Sequence, residues 1–511
     1  MTKLLLVNAP YPRRLKFFGQ PTSLLYAAAH VVPWLERQEG KDSVRLVNYN
    51  LFPPEWFEQY GETHFSSLLL NLQPEVVAIS STTASLGSAR KLARAAKKLS
   101  TPPVVVFGGP HEDDATEPTA TWDDNVDLSV VGDGESALKL IVDCVLNSPR
   151  THGEELARQL HRFGPRDYIE GTSKILCHTN GSPWPNPLET YKTILLNRHR
   201  IDLDRLPFAP RHLLETKEKY HYPIFRHGDN SIKATTQVMT QRGCVAKCHF
   251  CSESQQLFQR CLPSVIKELE TLKADGYEAV FFDDSTFTNL SPQRRTFLTG
   301  LGRAASRLGI ECGCQTRVDM VDKEILRNLA DSGFTYVYFG VESMVQPLLD
   351  ALGKHYTVDK IKRALEAARD AGLRVGASIL LGAPDHENNT LETLQTAEST
   401  FRQIREYVDK GPIELVSLNV FEYYPGTTST VNLAKSDPTI TDYRGETKFA
   451  FPDEYPFDLL EENPVHCPKG LKEIARPILF KAVDILGDVL VHTDEDIQQT
   501  SLEPASLVLA G

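Results

Sequence analysis

Short apolar runs rich in β-branched residues recur through the first 140 positions. They are "KLLLVNAP" (3–10), "VRLVNYN" (44–50), "VVAISS" (76–81), "VVVFGG" (104–109) and "LSVVG" (128–132), each bounded by Gly, Pro or Asn. Helical patterns such as "TSLLYAAAHVVPWLER" and "GSARKLARAAKKLS" lie between them. Near-continuous apolar strands alternating with helices predict a parallel, doubly wound, Rossmann-like sheet over 1–145. Its ligand site belongs beyond the carboxyl ends of the strands, where "SSTTAS" (80–85), "GGPHEDD" (108–114) and "GDGES" (132–136) fall. Pro10 and Pro12 break the opening run and no small-residue cleavage site follows, so it reads as a first strand, not a signal peptide.

The pattern then lapses. Residues 146–231 are less regular, with a proline-rich "GSPWPNPLE" (181–189) and an extended linker "IDLDRLPFAPRHLL" (201–214). From about 232 the alternation resumes, with strands expected at 234–241, 278–284, 311–318, 335–342, 374–382 and 413–421. Two intervening helices, "LPSVIKELETLKADG" and "TVDKIKRALEAARDAG", each stop at a Gly. Six β/α units over 232–430 predict a partial (β/α)6 barrel, open on one side for a large substrate. Residues 431–511 are expected to be mainly helical, with "PKGLKEIARPILFKAVDILGDVLVH" as a packing cap or substrate-side lid. The acidic "TDEDIQQT" (493–500) reads as a solvated end.

Composition narrows the class. A chain of 511 residues is too long for one ordinary domain. Hydrophobic content of 41% and charged content of 24% are those of a globular protein. A net charge of −12 argues against a nucleic-acid surface. No segment approaches the roughly 20 apolar residues of a membrane-spanning helix. The nine cysteines are too unevenly spaced for a disulfide framework, so a reducing cytoplasm is expected.

Three of those cysteines stand out. Cys244, Cys248 and Cys251 fall within "TQRGCVAKCHFCSES" (240–254), just after the first expected barrel strand and at its carboxyl end. Structural zinc takes four ligands, and no second CxxC lies 15–20 residues on. Cys261 or His249 would have to complete such a site. Three thiolates suit a four-iron cluster with one iron left free for a substrate or cofactor.

"CVAKCHFC" after a strand, opening a six-unit β/α barrel, resembles the radical S-adenosylmethionine (SAM) superfamily, over about 232–430. The resemblance implies that Cys244, Cys248 and Cys251 hold a [4Fe-4S] cluster whose free iron is chelated by SAM. It also implies that reductive cleavage of SAM yields a 5′-deoxyadenosyl radical. Phe250 resembles the residue packing near the adenine. "FFDDS" (281–285) stands where the family contacts the SAM amino group, but Gly-Gly-Glu is absent, leaving Asp283 and Asp284 as candidates. Arg317 suits the SAM carboxylate, Glu342 and Ser343 the ribose, and Gly382 and Pro384 the adenine side. "NVFEYYPGT" (419–427), with Tyr423, ends the sixth strand. Taken singly, strand-end acids and arginines are as often structural pairs as ligand contacts. Cys312 and Cys314 are expected to pack in the core on opposite faces of one strand. Cys467 is either a late hydrogen or proton donor or an incidental buried thiol.

"VVVFGGPHEDDATEP" followed by "DLSVVGDGES" resembles the cobalamin-binding domain that precedes the barrel in one large radical SAM class. The resemblance implies cobalamin contacts at Thr82, Thr83, Ser85, Gly108, Gly109, Pro110, Gly132, Gly134 and Glu135. The DxHxxG motif is absent and His111 does not match it, so cobalamin is expected to bind without a protein ligand below the cobalt. A vestigial domain that helps shape the substrate pocket is the alternative. The activity implied is cobalamin-dependent methylation of an unactivated carbon of a small-molecule specialised metabolite, fed by an electron donor such as flavodoxin or ferredoxin. The competing readings are a radical SAM dehydratase, dehydrogenase or cyclase without methyl transfer and, in another class, a non-catalytic zinc-binding scaffold.

Overall fold

The computed structural model describes residues 2–10, 21–52, 54–82, 85–114, 119–121, 123–148, 155–156, 158–160, 172–178, 191–198, 202–214, 224–253, 256–424, 426–436 and 468–492. They form two compact units, one holding the described residues up to Leu214 and the other those from Ile224 onward.

The first unit is a seven-stranded sheet. Its strands are β1 (Leu4–Asn8), β2 (Val44–Asn48), β3 (Val76–Ser80), β4 (Val104–Gly108), β5 (Leu128–Gly132), β6 (Thr172–His178) and β7 (Tyr191–Arg198), in the order β2-β1-β3-β4-β5-β6-β7. β1 to β5 are parallel and start and stop within two residues of the apolar runs. Strand order reverses at β1, so the crevice beyond the carboxyl ends of β1 and β3 is the topological switch point. Val77, Ile79, Val105 and Phe107 bury one face of the sheet against Leu86, Ala89 and Leu92 of the helix Leu86–Lys97.

β6 and β7 correct the expectation of an irregular 146–231 segment. They form an antiparallel hairpin that adds to β5. "TSKILCH" mixes polar and apolar residues, as a strand near a sheet edge does, and so lacks the apolar continuity of β1 to β5.

The second unit is a barrel-like parallel sheet. Its strands are β8 (Thr235–Val238), β11 (Ala279–Phe282), β12 (Glu311–Arg317), β13 (Phe334–Glu342), β14 (Arg374–Leu381), β15 (Ile413–Val420) and β16 (Leu490–His492). Two short strands, β9 (Gln241–Arg242) and β10 (Phe258–Gln259), pair antiparallel and clasp both ends of the cysteine loop. Thr357 caps the helix Val358–Asp370 through the Lys360 N–H.

Of the two expectations for the C-terminal helix, it packs as a cap and not as a lid. The helix Leu471–Leu486 buries Ile478, Leu479, Ala482 and Leu486 in the same core as Phe401 and Ile404 of the helix Leu394–Asp409. It then delivers β16, which pairs parallel with β15 as a seventh strand. Another correction concerns Cys312 and Cys314. Residues two apart on a strand share a face, and both thiols lie in that same helix-side core.

Inside the barrel, Ala279, Phe281, Tyr336 and Leu415 close over Ile224 and Phe225. Continuing the alternation towards the carboxyl end brings Asp283, Gln315, Tyr338, Glu342 and Ser378 to the same interior.

Candidate active site

The cysteine loop leaves β8 at the carboxyl end of the barrel. Cys244 is buried, Cys248 half-buried and Cys251 exposed. Each sulfur has a hydrogen-bonding neighbour. Cys244 Sγ accepts from the Ala246 N–H at 3.4 Å and pairs with Thr286 Oγ1 at 3.1 Å. Cys251 Sγ accepts from the Glu253 N–H at 3.5 Å, and Cys248 Sγ from Arg317 NH1 at 2.9 Å. Donors directed at all three sulfurs suit thiolates bound to iron. Among the described residues, no three His, Cys, Asp or Glu side chains converge to hold a single metal ion.

His249 is turned away from the sulfurs. Its N–H donates to the Leu352 carbonyl at 3.0 Å, its carbonyl accepts from the Ser429 N–H at 2.8 Å, and its Nδ1 meets the Ala351 carbonyl at 3.0 Å. The ring lies on Gly353, where a Cβ would come within 2.5 Å of it. His249 therefore fastens the loop to the β13 return and is not the fourth ligand of a zinc site.

The two candidate aspartates differ. Asp284 is buried and accepts from the Thr240 N–H at 2.6 Å, the Thr240 hydroxyl, the Gln241 N–H at 3.1 Å and Arg294 NH2 at 3.3 Å. It is committed to holding the root of the cysteine loop. Asp283 receives a long bond from Gln315 Nε2 at 3.4 Å. Burial first, and the adjacent Asp284 charge second, push the Asp283 carboxyl up to about 7.

Glu342 ends β13 with φ +64° and forms an ion pair with Lys354 at 2.7 Å, with the two side chains 8% and 5% exposed. Ser378 donates to its other oxygen at 3.3 Å. The Lys354 ammonium also lies 5.0 Å from the centroid of the Phe250 ring, tying that aromatic to Glu342. The sequence carried no signal for Lys354, which follows a short helix in "LGKHY" like any solvated lysine. Thr286 was likewise not singled out.

Other expected contacts are engaged elsewhere. The left-handed turn at Glu342 sends Ser343 outward, where its hydroxyl meets Thr400 Oγ1 at 3.3 Å and accepts from the Val345 N–H at 3.1 Å. Gly382, at φ +91°, abuts Leu471, whose Cδ2 would lie 2.4 Å from an added Cβ. Pro384 bridges to Thr390 in the same loop. Tyr423 is buried with its hydroxyl on Asn388 Oδ1. Cys467 lies outside the described residues.

In the first unit, Thr82 and Ser85 bond each other, with Thr82 N–H to Ser85 Oγ at 2.9 Å. Thr83 lies outside the described residues. Gly109, at φ +101°, lies so close to Ser80 and Ser81 that a Cβ would come within 2.7 Å of Ser80 Oγ. Pro110 starts the short helix Pro110–Asp114, and Asp113 of that helix accepts from the Gly132 N–H at 2.5 Å. Gly134 permits close contact with Ala27, at 3.1 Å from an added Cβ, and Glu135 is buried in the next turn. At Gly108 an added Cβ would make only ordinary contact, 3.8 Å from the Val130 carbonyl. The buried Ser81 Oγ, at the carboxyl end of β3, has no hydrogen-bond partner. Burial holds the His111 imidazole below its ordinary range, against the opposing pull of Glu112.

A model of the radical SAM superfamily matches residues 238–397, and one of the B12 binding domain matches residues 44–142. An uncharacterized methyltransferase of Pyrococcus horikoshii is 25% identical over 439 residues, 83% of this chain and 82% of its own. A cytidylyl-2-hydroxyethylphosphonate methyltransferase of Streptomyces wedmorensis is 24% identical over 76% of this chain and 73% of its own. The solved structure of the radical S-adenosylmethionine methyltransferase TsrM from Kitasatospora setae, with cobalamin and a [4Fe-4S] cluster bound, has the same fold. It superposes with a TM-score of 0.56 at 18% identity, covering 85% of this chain and 75% of its own.

Proposed function

We propose that this chain, which joins a B12-binding domain to a radical SAM domain, is a cobalamin-dependent methyltransferase acting on an unactivated carbon of a small-molecule specialised metabolite. The observation that carries the cluster half of this reading is the hydrogen-bonding neighbour given to each of the three sulfurs at the carboxyl mouth of the barrel. When bound, the cluster and SAM supply an adenosyl radical and cobalamin supplies a methyl group.

The chain's own residues then bind and orient. Cys244, Cys248 and Cys251 hold the cluster. Asp283, the aspartate with accepting capacity to spare, takes the SAM amino group, while Asp284 keeps the loop root in place. Arg317 has one NH1 hydrogen left after its internal bonds, suited to the SAM carboxylate. Glu342, held by Lys354, faces the ribose, and Phe250 covers the adenine side. Cobalamin would be held at the carboxyl ends of β3 and β4 in the first unit, where the Gly108–Gly109 turn, tight against Ser80 and Ser81, shapes the edge and Ser81 Oγ offers an unused polar atom. Cys467 is an optional late donor. The setting proposed is a reducing cytoplasm, in keeping with the uneven cysteine spacing, with flavodoxin or ferredoxin as electron donor.

Anaerobic purification tests the reading. Iron, sulfide and corrinoid uptake together, with label passing from methyl-labelled SAM to a carbon of the product, are the expected result. Iron and sulfide without corrinoid uptake supports a radical SAM enzyme without methyl transfer, and zinc alone overturns both.

A further inference from the structure

Arg317, at the carboxyl end of β12, has four of its five N–H groups committed. Its Nε and one NH2 hydrogen hold the two carboxylate oxygens of Asp319, each at 2.9 Å. The other NH2 hydrogen donates to the Lys354 carbonyl at 3.0 Å, and NH1 donates to Cys248 Sγ at 2.9 Å. The guanidinium carbon lies 5.4 Å from the centroid of the Tyr356 ring. With its side chain 9% exposed, little water screens this charge.

The fork is fixed before any ligand arrives. Asp319 orients two of its arms, the Lys354 carbonyl a third, and the ring of Tyr356 lies near its flat face. What remains directed outward is an N–H on a sulfur. This differs from the donors at the other two cysteines, which are backbone amides without net charge.

We propose that Arg317 is the positioning residue that sets the reduction potential of the cluster, through its charged bond to Cys248 Sγ, and that Asp319 is the counter-charge limiting its pull. The inference rests on the reading of Cys244, Cys248 and Cys251 as cluster ligands. One-electron reduction adds a unit of negative charge that spreads onto the sulfurs. A cationic donor on one sulfur stabilises that charge and raises the potential; a carboxylate beside the donor lowers it. No proton moves and no bond is broken, and the electron comes from the reductant. A raised potential eases filling of the cluster by its donor and weakens the drive of the electron onward, so the Arg317–Asp319 pair fixes a compromise between the two.

The two charges predict opposite signs. In the anaerobically reconstituted full chain, titrated with dithionite and mediators and followed by electron paramagnetic resonance of the reduced cluster, Arg317→Met lowers the midpoint potential. The expected loss is about tenfold in the reduction equilibrium, about 59 mV for one electron. Asp319→Asn raises it, and the double variant falls between Arg317→Met and wild type, because it loses the nearer positive charge and the more distant negative one together. Arg317→Lys, which keeps the charge without the fork, falls between wild type and Arg317→Met.

A loop merely disturbed by substitution would shift both single variants the same way, and that result overturns the inference, as does an unchanged potential in Arg317→Met with full iron and sulfide. Should Arg317→Met hold no iron, Asp319→Asn decides, and an unchanged or lowered potential there overturns it. Wild-type protein that takes up no iron and sulfide overturns the ligand reading beneath it instead.

Discussion

Two adjacent carboxylates follow β11, and their surroundings divide the work between them. Asp284 is saturated by Thr240, Gln241 and Arg294, whereas Asp283 meets one long bond from Gln315. The Asp283 carboxyl titrates near 7 in the fold against 3.8 for the free group. The folded state thus binds its proton more tightly than the unfolded chain does. The resulting stability is present at low pH and is lost as pH rises from about 4 through about 7. A shift of this size is worth on the order of 2–4 kcal/mol. Asp283→Asn removes the dependence, so its melting temperature exceeds that of wild type by more at about pH 8 than at about pH 5. Scanning calorimetry of the cofactor-free protein at both pH values checks this, and an equal difference at both would refute it. Lys354 gives a sharper case. Removing its ammonium leaves the Glu342 carboxylate buried and unpaired, at a cost of about 3–5 kcal/mol. Lys354→Met should lose that much in urea unfolding, and Lys354→Met with Glu342→Gln should recover most of it.

The elements show why some of this was legible in the chain and some was not. Buried parallel strands are mostly apolar, so β1 to β5 and the barrel strands β11, β14 and β15 announce themselves as short blocks between helices, whereas β8 (TTQV) and β12 (ECGCQTR) are legible only from the strand–helix alternation around them. β6 and β7 each hold only a two- or three-residue apolar run between polar ends, in a proline-rich neighbourhood, and β16 is three residues long. Neither leaves a distinct pattern. The cysteine motif marked its loop, yet the partners of that loop come from strand ends and turns far away in sequence, as Lys354, Thr286 and Asp319 do. Gly382 illustrates the same gap. Its glycine reads as an adenine-side motif, but its close neighbour is Leu471 of the helix that carries β16. Gly382→Ala meets both the Leu471 side chain and an unfavourable positive φ, and should cost roughly 2 kcal/mol. Adding Leu471→Ala should not restore wild-type stability, because the backbone strain persists and a cavity is added. Chemical denaturation of the single and the double variant beside wild type measures both effects.

At the scale of the molecule, the two units have separate cores, and the cysteine loop belongs entirely to the second. Chemistry that destroys the loop should therefore spare the first unit. Protein with Cys244, Cys248 and Cys251 all changed to Ala is expected to lose iron, sulfide and 5′-deoxyadenosine formation while still taking up hydroxocobalamin. Absorbance after gel filtration, alongside iron analysis, reads both, and loss of corrinoid uptake in this variant would count against separate sites.

His249 fastens the same loop to Leu352, Ala351 and Ser429 by bonds that involve none of the three sulfurs. The consequence is repairability. A centre stripped of its iron by oxygen leaves behind a socket that keeps its shape, so refilling requires iron, sulfide and reductant but no refolding of the chain. His249→Ala should slow the return of cluster absorbance after oxidative damage far more than it lowers the melting temperature.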